Sequence, residues 1–413
     1  TDAAGAILGA SGIPRAAYVA RVHRPAVSLP YLVQFDGSVV ATWTALADIA
    51  SPSDRTKALA HLPTALGGCG FTSHVRTCKD AYEASYEAAM KISLVEQRSR
   101  SLATNLAVQK GLCADPTIAA HIRETSKKGT ATWMTNAAAN KNFPEVAYSA
   151  ALRFRLHTAH KNLPAVVHCP GCQMVCAADE YSSHVAGCTR VPGFNASARH
   201  AATKRCLDNT FRQAGVPSDG VEPREFGGHM CWGCHATLTG DVQLHMRTCK
   251  SITPRQRMYG PPTARRTGPD GRCYLGGRST VYDVFVVSPN AQSYLGKPDG
   301  TAIKLRKQDK LARYGAAVEA QGEEFVLFGA TAFGHLIPES TKMLARVAAH
   351  APDTMTTGSA CNAVSTMIAL SNGQVLAAAE RRVGCVHNIR RQPPDTPPDS
   401  PAPGTRPTTA GIT

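Results

Sequence analysis

Hydrophobic and polar positions divide the chain into three textures. Up to about residue 160, apolar residues recur among strong helix formers, and the spacing predicts helices throughout. Residues 1–62 read as short apolar helices and loops, with Ile13-Pro14-Arg15 ending one helix and Thr42-Trp43-Thr44-Ala45-Leu46 beginning another. A Pro/Gly-punctuated connector from Leu62 to Phe71 leads into residues rich in helix formers as far as His160, broken near Lys128-Gly129 and Phe143-Pro144. An all-α module is expected here, and nothing in it resembles a catalytic constellation.

The second texture, from His168 to about residue 250, is built from cysteine, histidine and turns. Between its two clusters, Ser197 to Ala214 reads as a serine-capped helix carrying His200, Lys204, Arg205 and Arg212, with a short extended piece starting near Val221-Glu222-Pro223-Arg224. In the third texture the residues become β-branched and aromatic. Tyr282-Asp283-Val284-Phe285-Val286-Val287-Ser288 predicts a strand, preceded by a turn at Gly276-Gly277. A basic helix containing Lys304, Arg306, Lys307, Lys310 and Arg313 is predicted to end at Tyr314. Glu324 to Ala330 reads as a buried strand and Ser340 to His350 as a covering helix, so the pattern predicts an α/β sandwich. The proline-rich tail, residues 388–413, is expected to be disordered.

Composition refines this picture. A chain of 413 residues with 43% hydrophobic content has room for two or three folded domains. Its formal charge of +15 favours a polyanionic partner, because neutralising phosphates releases counterions. No apolar run reaches roughly 18 residues and no signal-peptide core is present, so a soluble chain with no membrane partner is expected, a fragment of something longer. Fourteen cysteines without a secretory signal imply a reducing compartment, where clustered Cys and His serve metals rather than disulfides.

The cysteine clusters share one grammar. Cys169-Pro170-Gly171-Cys172 is followed after eleven residues by His184 and after three more by Cys188. Cys231-Trp232-Gly233-Cys234, ten residues, His245, three residues and Cys249 repeat it. A Cys-x-x-Cys turn presents two thiolates and a His-x-x-x-Cys turn the other two ligands, which predicts two tetrahedral, structural zinc sites. Cys176 could replace Cys169, although the match to the second cluster favours Cys169. Each site would contribute on the order of 10 kcal/mol to folding its own small module.

Asp270, in a Pro-Asp-Gly turn, and Asp283 are separated by twelve residues and would lie on adjoining arms of a hairpin. Two acids that can share a Mg²⁺ ion, with a lysine beside them, suit phosphodiester cleavage. The plainer alternative is an edge hairpin with solvated charges. The lysine would come from the following basic helix. Lys310 is preferred to Lys307, because Tyr314 lies one helical turn further on and can face the same site. His200 and Glu222 could complete the site, though a solvated histidine on a basic helix is the plainer reading, and Glu319 is a further candidate acid.

This order of parts resembles the C-terminal half of site-specific non-LTR retrotransposons, such as the insect ribosomal-DNA and trypanosomatid spliced-leader elements. The similarity runs through Ile13-Pro14-Arg15, Leu62-Pro63, Gly67-Gly68, Ala81-Tyr82-Glu83-Ala84-Ser85, the first zinc cluster, Pro269-Asp270, Asp283, Lys310 and Arg313-Tyr314. It implies a multidomain chain: a post-palm remnant of a reverse transcriptase (1–62), an all-α thumb-like domain (63–165), a zinc module (166–192) and an α/β restriction-endonuclease-like domain (197–375) with a second zinc module inserted at 229–250. It also implies a nuclear protein that nicks target DNA to prime reverse transcription of element RNA. Asp270, Asp283, Lys310 and Tyr314 would then be catalytic, and Arg265, Arg266, Lys307 and Arg313 would hold nucleic acid. Departures are Gly268 where a basic residue usually precedes Pro-Asp, the added second cluster, and the missing palm aspartates, Asp36 standing alone. They leave open a non-catalytic zinc-stabilised nucleic-acid-binding module of a decayed element.

Overall fold

The computed structural model describes residues 12–90, 96–135, 143–191, 196–219 and 268–384, together with residue 8 and short pieces at 222–223, 226, 229–230, 237–238, 248–250 and 265–266. The chain is mostly helical, with small sheets. Its elements are α1 (Ala16–Val22), α2 (Pro25–Ala47), α3 (Asp54–His61), α4 (His74–Ala89), α5 (Gln97–Leu112), α6 (Pro116–Thr125), α7 (Glu145–Arg155), β1 (Val166–His168), β2 (Val175–Ala177), α8 (Ala178–Gly187), α9 (Ala196–Gln213), β3 (His229–Met230), β4 (Thr237–Leu238), β5 (Arg265–Arg266), β6 (Gly271–Leu275), β7 (Arg278–Val287), α10 (Thr301–Lys310), β8 (Glu324–Thr331), α11 (Pro338–Ala348) and α12 (Thr357–Arg382). None of the described helices is long and apolar enough to cross a membrane.

The N-terminal helices depart from the sequence reading in two places. Ile13-Pro14-Arg15 forms a 3₁₀ turn that leads into α1 rather than ending a helix, as the fixed φ of proline suits a helix start. Thr42 to Leu46 belongs to the last turns of α2, a single helix of 23 residues that begins at Pro25 and tolerates Pro30 near its start. Trp43 is fully buried there, in a core with Leu59, Ile118, Trp133, Tyr148 and Leu152. Asp36 caps α4 from outside, accepting from Ser73 Oγ (2.6 Å), His74 N (3.0 Å) and Val75 N (3.1 Å).

The C-terminal region holds a three-stranded mixed sheet in the order β6-β7-β8. β6 and β7 form an antiparallel hairpin turning at Gly276 and Gly277, whose φ values of +60° and +76° favour glycine. β8 returns parallel to β7, with α10 in the connection, as a parallel pair requires a crossover. Residues at alternate positions of β7 face opposite layers. Tyr282 and Val284 pack with Leu207 and Phe211 of α9 and with α11 and α12, whereas Phe285 and Val287 meet Ala302 of α10. Of the extended piece expected from Val221 to Arg224, Val221 and Arg224 lie outside the described residues; just before it, Ser218 bridges to Cys273 on the outer edge of β6.

Helix α12 has no counterpart in the sequence reading, and it ties the regions together. It starts with a Thr356/Ser359 capping box and crosses α7 so closely that a Cβ on Gly373 would lie 2.0 Å from the Ala147 carbonyl oxygen. Arg153 of α7 donates to both carboxylate oxygens of Glu380 (3.2 and 2.6 Å), each residue at most 2% exposed in its side chain. Val375, Leu376 and Ala379 pack against the β1–β2 hairpin and α8, and Val364 and Ile368 against the sheet layer.

Candidate metal centre and carboxylate site

The β1–β2 hairpin and α8 assemble the first cysteine cluster. Gln173 takes a left-handed φ of +62°, and its N–H donates to the Cys169 carbonyl (2.9 Å), which tightens the turn between Cys169 and Cys172. α8 then delivers His184 in its last turn and Cys188 just beyond it. The four ligand atoms of Cys169, Cys172, His184 and Cys188 all lie within 4.8 Å of one another. The Cys169–Cys188 sulfur separation is 3.8 Å, close to the edge of a tetrahedron with Zn–S bonds of about 2.3 Å. Three thiols and an imidazole therefore form a group that could hold a metal ion such as zinc. Cys176 stands outside it, with its Sγ near the Met174 carbonyl at 3.9 Å, so Cys169 is the residue in the group. Cys231, Cys234 and His245 lie outside the described residues. The flanking strands β3 and β4 do pair, His229 with Leu238 and Met230 with Thr237, and Cys249 is buried.

The carboxylates meet because of strand register. Gly271 pairs with Tyr282, and extending that ladder by one residue sets Asp270 opposite Asp283. β6 stops there, leaving backbone groups of β7 without a strand partner, and side chains take its place. Asp270 Oδ2 accepts from Val284 N (2.7 Å), and His200 Nε2 lies 2.9 Å from the same oxygen and 3.0 Å from the Val284 carbonyl. Both neighbours of Nε2 are acceptors, so that nitrogen carries the proton. Burial of the His200 ring opposes its charge, but the hydrogen bond and charge of Asp270 prevail and raise its pKa. Asp270 responds in the other direction: despite burial, His200, Val284 N and Lys310 hold its carboxyl below the usual value.

Lys310 arrives from α10. Ile303 and Lys310 are seven residues apart on one helix face, and Ile303 packs on the sheet, so the lysine points down to the strands. Its Nζ is 2.7 Å from Asp283 Oδ2. That oxygen is buried and its approach to the ammonium lacks the angles of a directed hydrogen bond, so the contact is chiefly charge against charge. Asp283 is 1% exposed. Burial drives its pKa up to about 7, with Lys310 opposing and Asp270 reinforcing the rise.

The helix does not end at Tyr314. It passes through a π turn at Leu311–Gly315 into Ala316–Glu319. Tyr314 is buried against Phe325, with the Lys310 ammonium 5.9 Å from its ring centre. Lys307 pairs with Glu339 of α11, and Arg313 with Asp309 at 3.1 Å. Arg265 and Arg266 form β5 beside β3, antiparallel to it.

His200, which the sequence reading set aside as solvated, contacts Asp270 instead. Thr203, Leu207 and Phe211 follow it at helical spacing and are all buried, and this spacing was the available signal. Among the described residues only the Cys/His cluster forms a close group of three or more metal-ligating side chains, so neither Glu222 nor Glu319 completes the carboxylate pair. No protein-family model matches the chain, and no curated protein is similar to it.

Proposed function

We propose that the chain is the endonuclease-bearing part of a retrotransposon polyprotein, a Mg²⁺-dependent nuclease that nicks target DNA in the nucleus to prime copying of element RNA. The observation that carries this reading is the convergence of Lys310 on Asp283, opposite Asp270, at the open end of the hairpin. Asp270 and Asp283 are the residues that would hold Mg²⁺, and Asp283 Oδ2, buried without a directed hydrogen bond, is the kind of oxygen a cation satisfies. Bound there, the ion would acidify a water and stabilise charge on the phosphate.

The chain's own residues have distinct tasks. Asp270, fixed by Val284 N and His200, presents its carboxylate in one orientation. Lys310 stabilises negative charge that develops on the phosphate. Tyr314, packed edge-on against Phe325, sets its ring 5.9 Å from the Lys310 ammonium. The Cys169–Cys188 module, with a structural zinc, packs against both α7 and α12 and braces the scaffold. A second structural zinc at Cys231, Cys234, His245 and Cys249 belongs to the same proposal. Arg265, Arg266, Lys307 and Arg313 are the proposed phosphate contacts, which give affinity rather than sequence choice.

A nicking assay on supercoiled plasmid with Mg²⁺ tests the reading. Wild type should nick, Asp283→Ala should not, and Lys310→Met should be slower by about 10²–10³-fold. One observation favours a non-cutting alternative, since Lys310 already neutralises Asp283. If wild type and Asp283→Ala are equally inert while both shift DNA, the chain is a nucleic-acid-binding module.

A further inference from the structure

Away from the carboxylates, a cavity of about 130 Å³ opens where the zinc module, the residues after α7 and the loop after β7 meet. A single water needs only roughly 10–15 Å³, so the space suits a small ring. Asn290 and Gln292 from the loop and Glu180 from α8 bring hydrogen-bonding groups to it, and Met174 and Leu295 bring apolar ones. No lysine or arginine lines it among the described residues, which makes it a poor seat for phosphate. His157 closes one side. Its ring is 3% exposed and its Nδ1 has no hydrogen-bond partner among the described residues.

We infer that this cavity receives an unstacked nucleobase, specifically one with an exocyclic amine, from a strand held by the protein. The inference rests on the nucleic-acid part of the proposed function and not on cleavage. Side-chain amides such as Asn290 and Gln292 offer a donor and an acceptor each, the combination that reads a base edge. Glu180 accepts from an amine, as acidic side chains do from cytosine N4, and is mismatched to the carbonyls of thymine or uracil. Met174 suits the face of a ring, because a thioether packs well on aromatic systems. Bases of single strands are commonly splayed into such pockets.

Position supports the same occupant. Lys297, exposed and 5.6 Å from the centre of the Tyr294 ring, lies two residues past Leu295 and puts a cation on the same loop, available to the phosphate of an inserted nucleotide. Asn290 follows Asp283 by seven residues, at most about 25 Å of chain. One strand can therefore address both the carboxylates and the cavity.

The test uses the full chain and a single-stranded oligonucleotide carrying 2-aminopurine, titrated without divalent metal so that nothing is cut. Wild type should bind and raise the probe's emission as its base leaves the stack. The double variant Asn290→Ala, Gln292→Ala should bind about tenfold more weakly, the scale of one lost base contact, and should give no rise. Its affinity for an oligonucleotide abasic at that position, and its thermal melting, should match wild type. Glu180→Gln should erase the preference for cytosine over thymine at the probe position. Equal binding by wild type and double variant, loss of abasic binding in step with the intact strand, or no binding of any oligonucleotide overturns the inference. A chain that fails to nick plasmid yet gives these results refutes the nuclease reading and leaves the base site standing.

Discussion

Replacing Asp283 by Asn should stabilise the protein at neutral pH and, on the proposed nuclease reading, abolish cleavage. The carboxyl is 1% exposed, and burial carries its pKa from 3.8 to about 7 despite Lys310 nearby. Between those values the folded state keeps a proton that the unfolded chain has released. Stability therefore falls as pH rises from about 4 to about 7 and is level above, and the whole change is about 4 kcal/mol. Asparagine fills the same volume and never ionises, so the variant lacks this slope. His200 and Asp270 titrate in both proteins and cancel to first order in the difference. Lys310, 16% exposed in its side chain, can turn to solvent when its partner is neutral. Urea unfolding at a series of pH values measures the gap between the two proteins, which should widen by about 4 kcal/mol across that range. A gap that stays constant from about pH 5 to about pH 8, or one that narrows, refutes the buried-carboxylate argument. Mg²⁺ should stabilise wild type more at the higher pH, because the ion competes with that proton.

Two further expectations concern the scaffold. Arg153→Met leaves Glu380 charged and buried without its partner, and should destabilise by about 3–5 kcal/mol in urea or thermal unfolding; a loss under about 1 kcal/mol would mean that the pair is not what joins α7 to α12. Cys172→Ser should lower the zinc content by one equivalent and loosen the packing around Val167 and Tyr181, as read by metal analysis and near-ultraviolet circular dichroism; an unchanged zinc count would remove this site.

Local chemistry was legible in the sequence where a short spacing carried it. The Cys-x-x-Cys turn and the His-x-x-x-Cys turn each fit one local element, and the structure brings them together. The hairpin at Gly276-Gly277 and the strand from Tyr282 follow from turn residues and β-branching, and Lys310 lies near Asp283 because α10 is short and amphipathic. What escaped was set by tertiary packing. His200 looks polar on a basic helix, and only the burial of Thr203, Leu207 and Phe211 turns its face inward. α12 is small and mixed in composition (Ala, Ser, Asn, Gly), with apolar residues on several sides, so its sequence lacks the single stripe that announces a surface helix. Buried against α7, the zinc module and the sheet layer at once, it needs none.

That helix also sets a timetable for synthesis. Arg153 and Glu380 are 227 residues apart in the chain. At about 5–20 residues per second, roughly 10–45 s pass between the emergence of α7 and that of the helix that covers it. During that interval the face carrying Ala147, Ala151 and Arg153 waits without its partner on the nascent chain. Ribosome-bound intermediates that stop short of Thr357 should accordingly be protease-sensitive through α7 and should recruit chaperones, and release of the full-length chain should end both.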